Sequence, residues 1–262
     1  CWPISWSWPR RCVAETRLAA KRSPPPRGNP RCEGSMRSRG AGELTRPQRH
    51  RGQDRIHRHR RHEAGQKTLG VGQVTTLFSF KPEHFNNNGD QGNLDVLRFF
   101  LEAQELQVSA TDDAAVADFV LVGDASRAAI SHHEQGLTKL IPVLSSRIAK
   151  GLPTLLVGSS YEFFLGKIAE LGTHARTTRV SEFRSVALTA ELTVMGYRNS
   201  ELASGDVQLF GGFIATTLYG PILAKNPELL DLVLLRFGAE KAKWPKDMLE
   251  FVTKIRSEIS SD

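Results

Sequence analysis

From Val74 onward, apolar and polar positions recur in two distinct periods. Val74 to Phe80 is a run of β-branched and aromatic residues and predicts a strand. A polar loop, PEHFNNNGDQGN, follows over 82–93. Leu94, Leu97 and Leu101, with Val96 and Phe100, then recur at helix spacing through Leu106. Phe119 to Val122 predicts a short strand that runs into a loop at Gly123 and Asp124. Leu137 to Lys150 predicts a helix, broken by Gly151-Leu152-Pro153. Thr154 to Val157 predicts a buried strand, and Tyr161 to Leu171 the next helix. After Leu188 the pattern turns β-rich over 188–197 and 207–218. Helices over 227–237 and 245–259 close the chain, and no internal repeat is present.

Strands that alternate with helices form βαβ units, so a mostly parallel sheet flanked by helices is expected, with right-handed crossovers. Ligands of such sheets bind beyond the C-terminal ends of the strands. The loops at 81–93, 123–136, 157–161 and 219–226 are therefore expected to converge there.

Charge divides the chain in two. Residues 1–67 carry 17 Lys and Arg against 5 Asp and Glu, whereas the rest carries 18 against 23, so the net +7 belongs to the N-terminal quarter. All three cysteines, Cys1, Cys12 and Cys32, lie there too. Residues 1–70 hold no apolar periodicity, a Pro24 to Pro26 run and an Arg/His run from Arg49 to His62. Such composition buries too little apolar surface to offset the entropy of ordering, so a disordered basic segment is expected. One reading makes it a nucleic-acid-binding arm. The preferred reading is upstream sequence read through ahead of the genuine start, because the chain begins with Cys and not Met. Val71 or Val74 would then stand near that start. Nucleic acid is not the expected partner.

No run reaches the roughly 18 apolar residues of a membrane span. Without cysteine beyond Cys32, the domain over 71–262 holds no disulfide and no zinc–thiolate site. A cytoplasmic protein with no cofactor and no metal is expected. His132 and His133 fall in an expected loop and are read as two solvent-facing histidines rather than a metal pair.

The stretch TLLVGSSYEFFLG, Thr154 to Gly166, reads as strand, tight turn and helix start. Many α/β enzymes hold a nucleophile at such a joint. Here the turn offers Gly158, Ser159 and Ser160, and no thiol.

Three segments together resemble the cobyric-acid-synthase-type class I glutamine amidotransferases, and most of all the amidotransferase subunit of lipid II isoglutaminyl synthase. Pro82-Glu83-His84 followed by Gly89-Asp90-Gln91-Gly92-Asn93-Leu94 is similar to the family's PEH…GDxGNL. Pro153 to Gly166 is similar to its P-x-L-x-x-C-G-G-Y-Q-L-L-G. Leu218 to Glu228, LYGPILAKNPE, is similar to its L-H-G-P-L-L-P-K-N-P-E, and Gly196 to Ser200 is a weaker echo of G-F-E-N-H. The resemblance spans about 74–237.

That resemblance implies a flavodoxin-like α/β domain that hydrolyses glutamine and passes ammonia to a Mur-ligase-like, ATP-dependent partner subunit. In the closest branch the ammonia amidates the D-glutamate carboxylate of a peptidoglycan precursor. It also implies a cysteine nucleophile and a histidine base. Anchoring on Tyr161 puts Gly158 at the cysteine position, and anchoring on Gly220-Pro221 puts Tyr219 at the histidine position. Glycine has no side chain to attack with, and tyrosine is a poor base at neutral pH. A catalytically degenerate subunit is therefore expected, with Ser159 the weak candidate for a replacement nucleophile. His84, Asp90, Asn93, Ser160, Tyr161 and Asn199 fall at positions that bind substrate or shape the crevice loops, glutamine being the ligand if binding is retained.

Overall fold

Short apolar runs make the centre of a mostly parallel sheet. A computed structural model describes residues 74–259. Strand β1 is Thr75–Ser79, β2 Val108–Ala110, β3 Phe119–Val122 and β4 Thr154–Val157. All residues of β3 and β4 are buried, as continuous apolar strands covered on both faces must be. A glycine turn at Gly211-Gly212 joins β7 (Val207–Phe210) to β8 (Phe213–Thr216). These six strands are ordered β2-β1-β3-β4-β8-β7, the first five parallel and β7 antiparallel at the edge. The parallel order is compatible with a flavodoxin-like fold, in which the connection reverses between β1 and β3.

Helices cover both faces. Side chains alternate across the sheet, so Phe119, Leu121, Leu155 and Ile214 point one way and Val120, Val122, Leu156 and Phe213 the other. The first set packs with α1 (Gly92–Glu102) and α6 (Pro227–Leu235). The second packs with α3 (Glu134–Lys150) and α4 (Ser159–Phe164). Helix α3 ends at Gly151 in the left-handed conformation that a C-terminal cap requires. Arg147, buried in that helix, donates to the carbonyls of Ala117 and Pro153 at 2.7 and 2.6 Å and to Thr154 Oγ1 at 2.8 Å. Burial lowers its pKa to about 10.

A second sheet of three antiparallel strands is ordered β5-β6-β9, with β5 Arg176–Ala187, β6 Thr193–Leu202 and β9 Leu218–Tyr219. Short helices α2 (Arg127–His132) and α5 (Ile222–Lys225) and the long α7 (Lys246–Ile259) complete the order.

Several boundaries differ from the sequence reading. The helix expected over 161–171 stops at Phe164. Leu165 is extended, Gly166 has φ 71°, and a 3-10 turn follows at Ala169–Leu171. Phe164, Ile168 and Leu171 keep helix spacing and are all buried, but the chain reaches those positions through a turn. Residues 188–192 form the hairpin turn before β6 rather than part of the strand, with Leu188 N–H donating to Leu192 O at 2.8 Å. The expected loop over 123–136 contains α2, whose first turn is capped by Ser126 Oγ accepting from Ala129 N–H at 3.1 Å. Strands β2 and β5 were not expected. Both bury little, so neither carries an apolar period. Residues 1–73, including the basic segment, lie outside the described residues.

Candidate functional site

At the C-terminal ends of β1, β3 and β4 the motif loops converge, as their placement in the chain predicts. Gly158 follows β4 directly and begins α4, at φ 59° and ψ −124°. Side chains other than hydrogen rarely adopt this conformation, which strand–turn–helix elbows use to project one residue outward. A Cβ on Gly158 would lie 2.4 Å from Tyr219 Cε1 and 2.5 Å from Asp124 Oδ1. Gly158 and Tyr219 are therefore immediate neighbours, and the space a side chain would need at the elbow is filled.

Asp124, which the sequence showed only as the residue after β3, is the hub. Its Oδ1 accepts from Ser159 N–H at 2.9 Å, the first amide past the elbow. Ser159 Oγ lies 2.7 Å from both Asp124 Oδ1 and Ala125 O, either of which takes its single proton, and it accepts from Ala125 N–H at 3.0 Å. Ser159 thus ties the elbow to the β3 loop. Asp124 Oδ2 accepts from the side chains of Asn87 and Asn88 at 3.3 and 3.0 Å. A carboxylate of the chain itself sits where an elbow amide would meet a developing oxyanion.

The remaining motif residues hold these loops together. Asp90 is fully buried and accepts from Asp124 N–H at 2.9 Å through Oδ2, while its Oδ1 has no hydrogen-bond partner. Burial, reinforced by the Asp124 charge and opposed by Lys225, raises its pKa to about 7. Asn93 accepts from Leu223 N–H at 2.8 Å and donates to Asp90 O at 2.9 Å, linking the two outer motifs. Ser160 Oγ lies 2.7 Å from Val122 O and 2.9 Å from Val157 O and accepts from Val157 N–H at 3.2 Å, a buried link between β3 and β4. Tyr161 donates to Gly205 O at 3.1 Å. Tyr219 donates to Asn199 O at 2.9 Å, and burial first, then the Asp124 and Glu162 charges, raise its pKa.

A cleft of about 650 Å³ opens beside this centre, lined by Asp124, Ser159, Tyr219 and Asn199 and rimmed by Arg176 and Arg179. Glu201 meets Arg127, Arg176 and Arg179 at 3.4, 3.3 and 3.3 Å, which lowers its pKa. Glu162 accepts from Ser200 Oγ at 2.7 Å and faces Arg176 at 3.7 Å. Arg176, Arg179 and Glu201 were missed because β5 and β6 carry them from a distant part of the chain. Asp124 had a signal: an acid at the end of the strand next to β1, where the connection reverses.

His84 lies apart from the elbow. Its exposed side chain stacks with His133 at a ring separation of 4.8 Å, and His132 and His133 are 4.7 Å apart. His133 is not solvent-facing as expected. It packs on Phe80 and Phe85, and burial, then the neighbouring histidines, lower its pKa. Among the described residues, no group of three or more His, Cys, Asp or Glu is placed to hold a metal ion. No helix among them is long and apolar enough to cross a membrane.

Fold and site together define an α/β protein with a six-stranded, mostly parallel sheet and a glycine-held elbow. No family model matches the chain, and no curated protein matches it.

Proposed function

We propose that the chain is a catalytically degenerate glutamine-amidotransferase-like subunit that retains the fold and partner role of the glutaminase component. Its partner would be a Mur-ligase-like, ATP-dependent synthetase that amidates a peptidoglycan precursor. One observation carries the reading: Gly158, at the expected nucleophile position, adopts elbow geometry with Tyr219, at the expected base position, 2.4 Å from where its Cβ would be. Two positions aligned from separate motifs 61 residues apart by number thus occupy one site. Both lack the groups the chemistry needs, since a thiolate attacks and an imidazole shuttles the proton. Asp124 on the elbow amide and the Tyr219 ring against Gly158 supply no substitute.

A glutaminase assay on the full chain tests this. Ammonia release is expected at background level, alone and with the synthetase. Release well above background that survives alanine substitution of Cys1, Cys12 and Cys32 would overturn the degenerate reading. Its loss in Ser159→Ala would assign the nucleophile to that serine. Co-purification with a Mur-ligase-like synthetase is expected, and failure to associate would remove the partner role.

A further inference from the structure

Strand β5 is the edge of the three-stranded sheet and pairs only with β6 among the described residues. It is 12 residues long and largely exposed. A long free edge presents unpaired N–H and C=O groups and is a template for another strand. Its middle, Val180 to Val186, reads Val-Ser-Glu-Phe-Arg-Ser-Val. The segment is the same from either end, except that Glu182 and Arg184 exchange.

Antiparallel pairing of this segment with a second copy, centred on Phe183, would set Phe183 opposite Phe183. Glu182 would stand opposite Arg184, Ser181 opposite Ser185 and Val180 opposite Val186, each twice. In an antiparallel ladder, opposed residues share a face. The register with β6 puts Val180, Glu182, Arg184 and Val186 opposite Ser200, Arg198, Gly196 and Val194, and Phe183 opposite Tyr197. The charges thus meet on one face and the aromatic rings on the other. Shifting the centre to Glu182 or Arg184 would place like charges at the axis, so charge disfavours both neighbouring registers, and of the registers centred within this segment only the one on Phe183 opposes Glu182 to Arg184.

Two further observations fit a second copy. Phe183 and Tyr197 are 48% and 37% exposed and stack edge to face at 5.2 Å, an aromatic pair at the edge that a two-fold axis would continue into a row of four rings. Glu182 and Arg184, which pair with each other along the strand, would form a square of alternating charge with their counterparts.

We infer that the chain forms a symmetric dimer through β5, in the register centred on Phe183, joining two three-stranded sheets into one of six strands. The inference does not depend on the functional reading above. Analytical ultracentrifugation of the full chain over a dilution series tests it. The unaltered chain is expected to dimerise reversibly at or below about 100 μM. Glu182→Arg and Arg184→Glu, which each set like charges opposite one another twice, are each expected to weaken the dimer by about tenfold or more. The exchange E182R/R184E restores complementarity and is expected to restore the dimer. An equimolar mixture of the two single variants is expected to form heterodimers, because the all-positive edge then meets the all-negative one. A chain that stays monomeric throughout that range would overturn the inference. So would single variants that dimerise like the unaltered chain, or an exchange variant or mixture that fails to recover association.

Discussion

Gly158 combines a backbone conformation that disfavours a Cβ with surroundings that leave no room for one. Gly158→Ala is expected to lower stability by roughly 2–4 kcal/mol, since strain at the elbow adds to overpacking against Tyr219 and Asp124. Equilibrium denaturation in urea measures this, and a change within about 0.5 kcal/mol would mean the loop yields freely. Asp90 poses a different cost. Its pKa of about 7, against an ordinary value of 3.8, means that the folded chain keeps a proton the unfolded chain has released. Its contribution is complete below about pH 4 and is lost as pH rises towards about 7. The full penalty is on the order of 4 kcal/mol. Asp90→Asn keeps an acceptor for the Asp124 amide and removes the titration. Relative to this variant, the native chain is expected to lose stability between about pH 4 and about pH 7. Equal pH dependence in both proteins would show that Asp90 is ionised throughout.

At the scale of elements, the crevice is assembled by links between loops that lie far apart in sequence. Asn93, at the start of α1, accepts from the Leu223 amide in the first turn of α5, whose N–H groups have no helical partner. Asn93→Ala would leave that buried amide unsatisfied and cut the link to the Asp90 carbonyl. A loss of roughly 2–3 kcal/mol is expected by chemical denaturation, because an orphaned buried donor keeps its full desolvation cost. The motif GDQGN is legible as a loop, yet nothing in it announces that its asparagine caps a helix 130 residues away. The helix expected over 161–171 shows the opposite error. Apolar spacing alone does not separate a continuous helix from a turn that places the same side chains in the same core.

At the scale of the molecule, the acidic remainder and the basic N-terminal segment behave as separate chemistry in sequence. Residues 74–259 pack their core on both faces of one sheet. Deleting residues 1–67, whose composition offers no apolar periodicity, is expected to move the thermal midpoint of the remainder by no more than a few degrees. A larger drop in differential scanning calorimetry would show that the segment packs on the domain.

Strands β3 and β4 and the body of α1, α3 and α6 were legible because each buries a face whose period survives in the residue order. The elbow was legible for the same reason: a buried strand, a glycine and small residues leave few other backbone paths. Strand β5 was not, because an exposed edge needs no apolar period, and its self-complementary middle acquires meaning only once β5 is placed at the edge of its sheet among the described residues. The site was half visible. Gly158 and Tyr219 come from motifs, whereas Asp124, Glu162, Arg176, Arg179 and Glu201 meet through sheet order and strand register. Local periodicity records which face of an element is buried. It does not record which element lies beside it, and a polar cluster drawn from four segments depends on that alone.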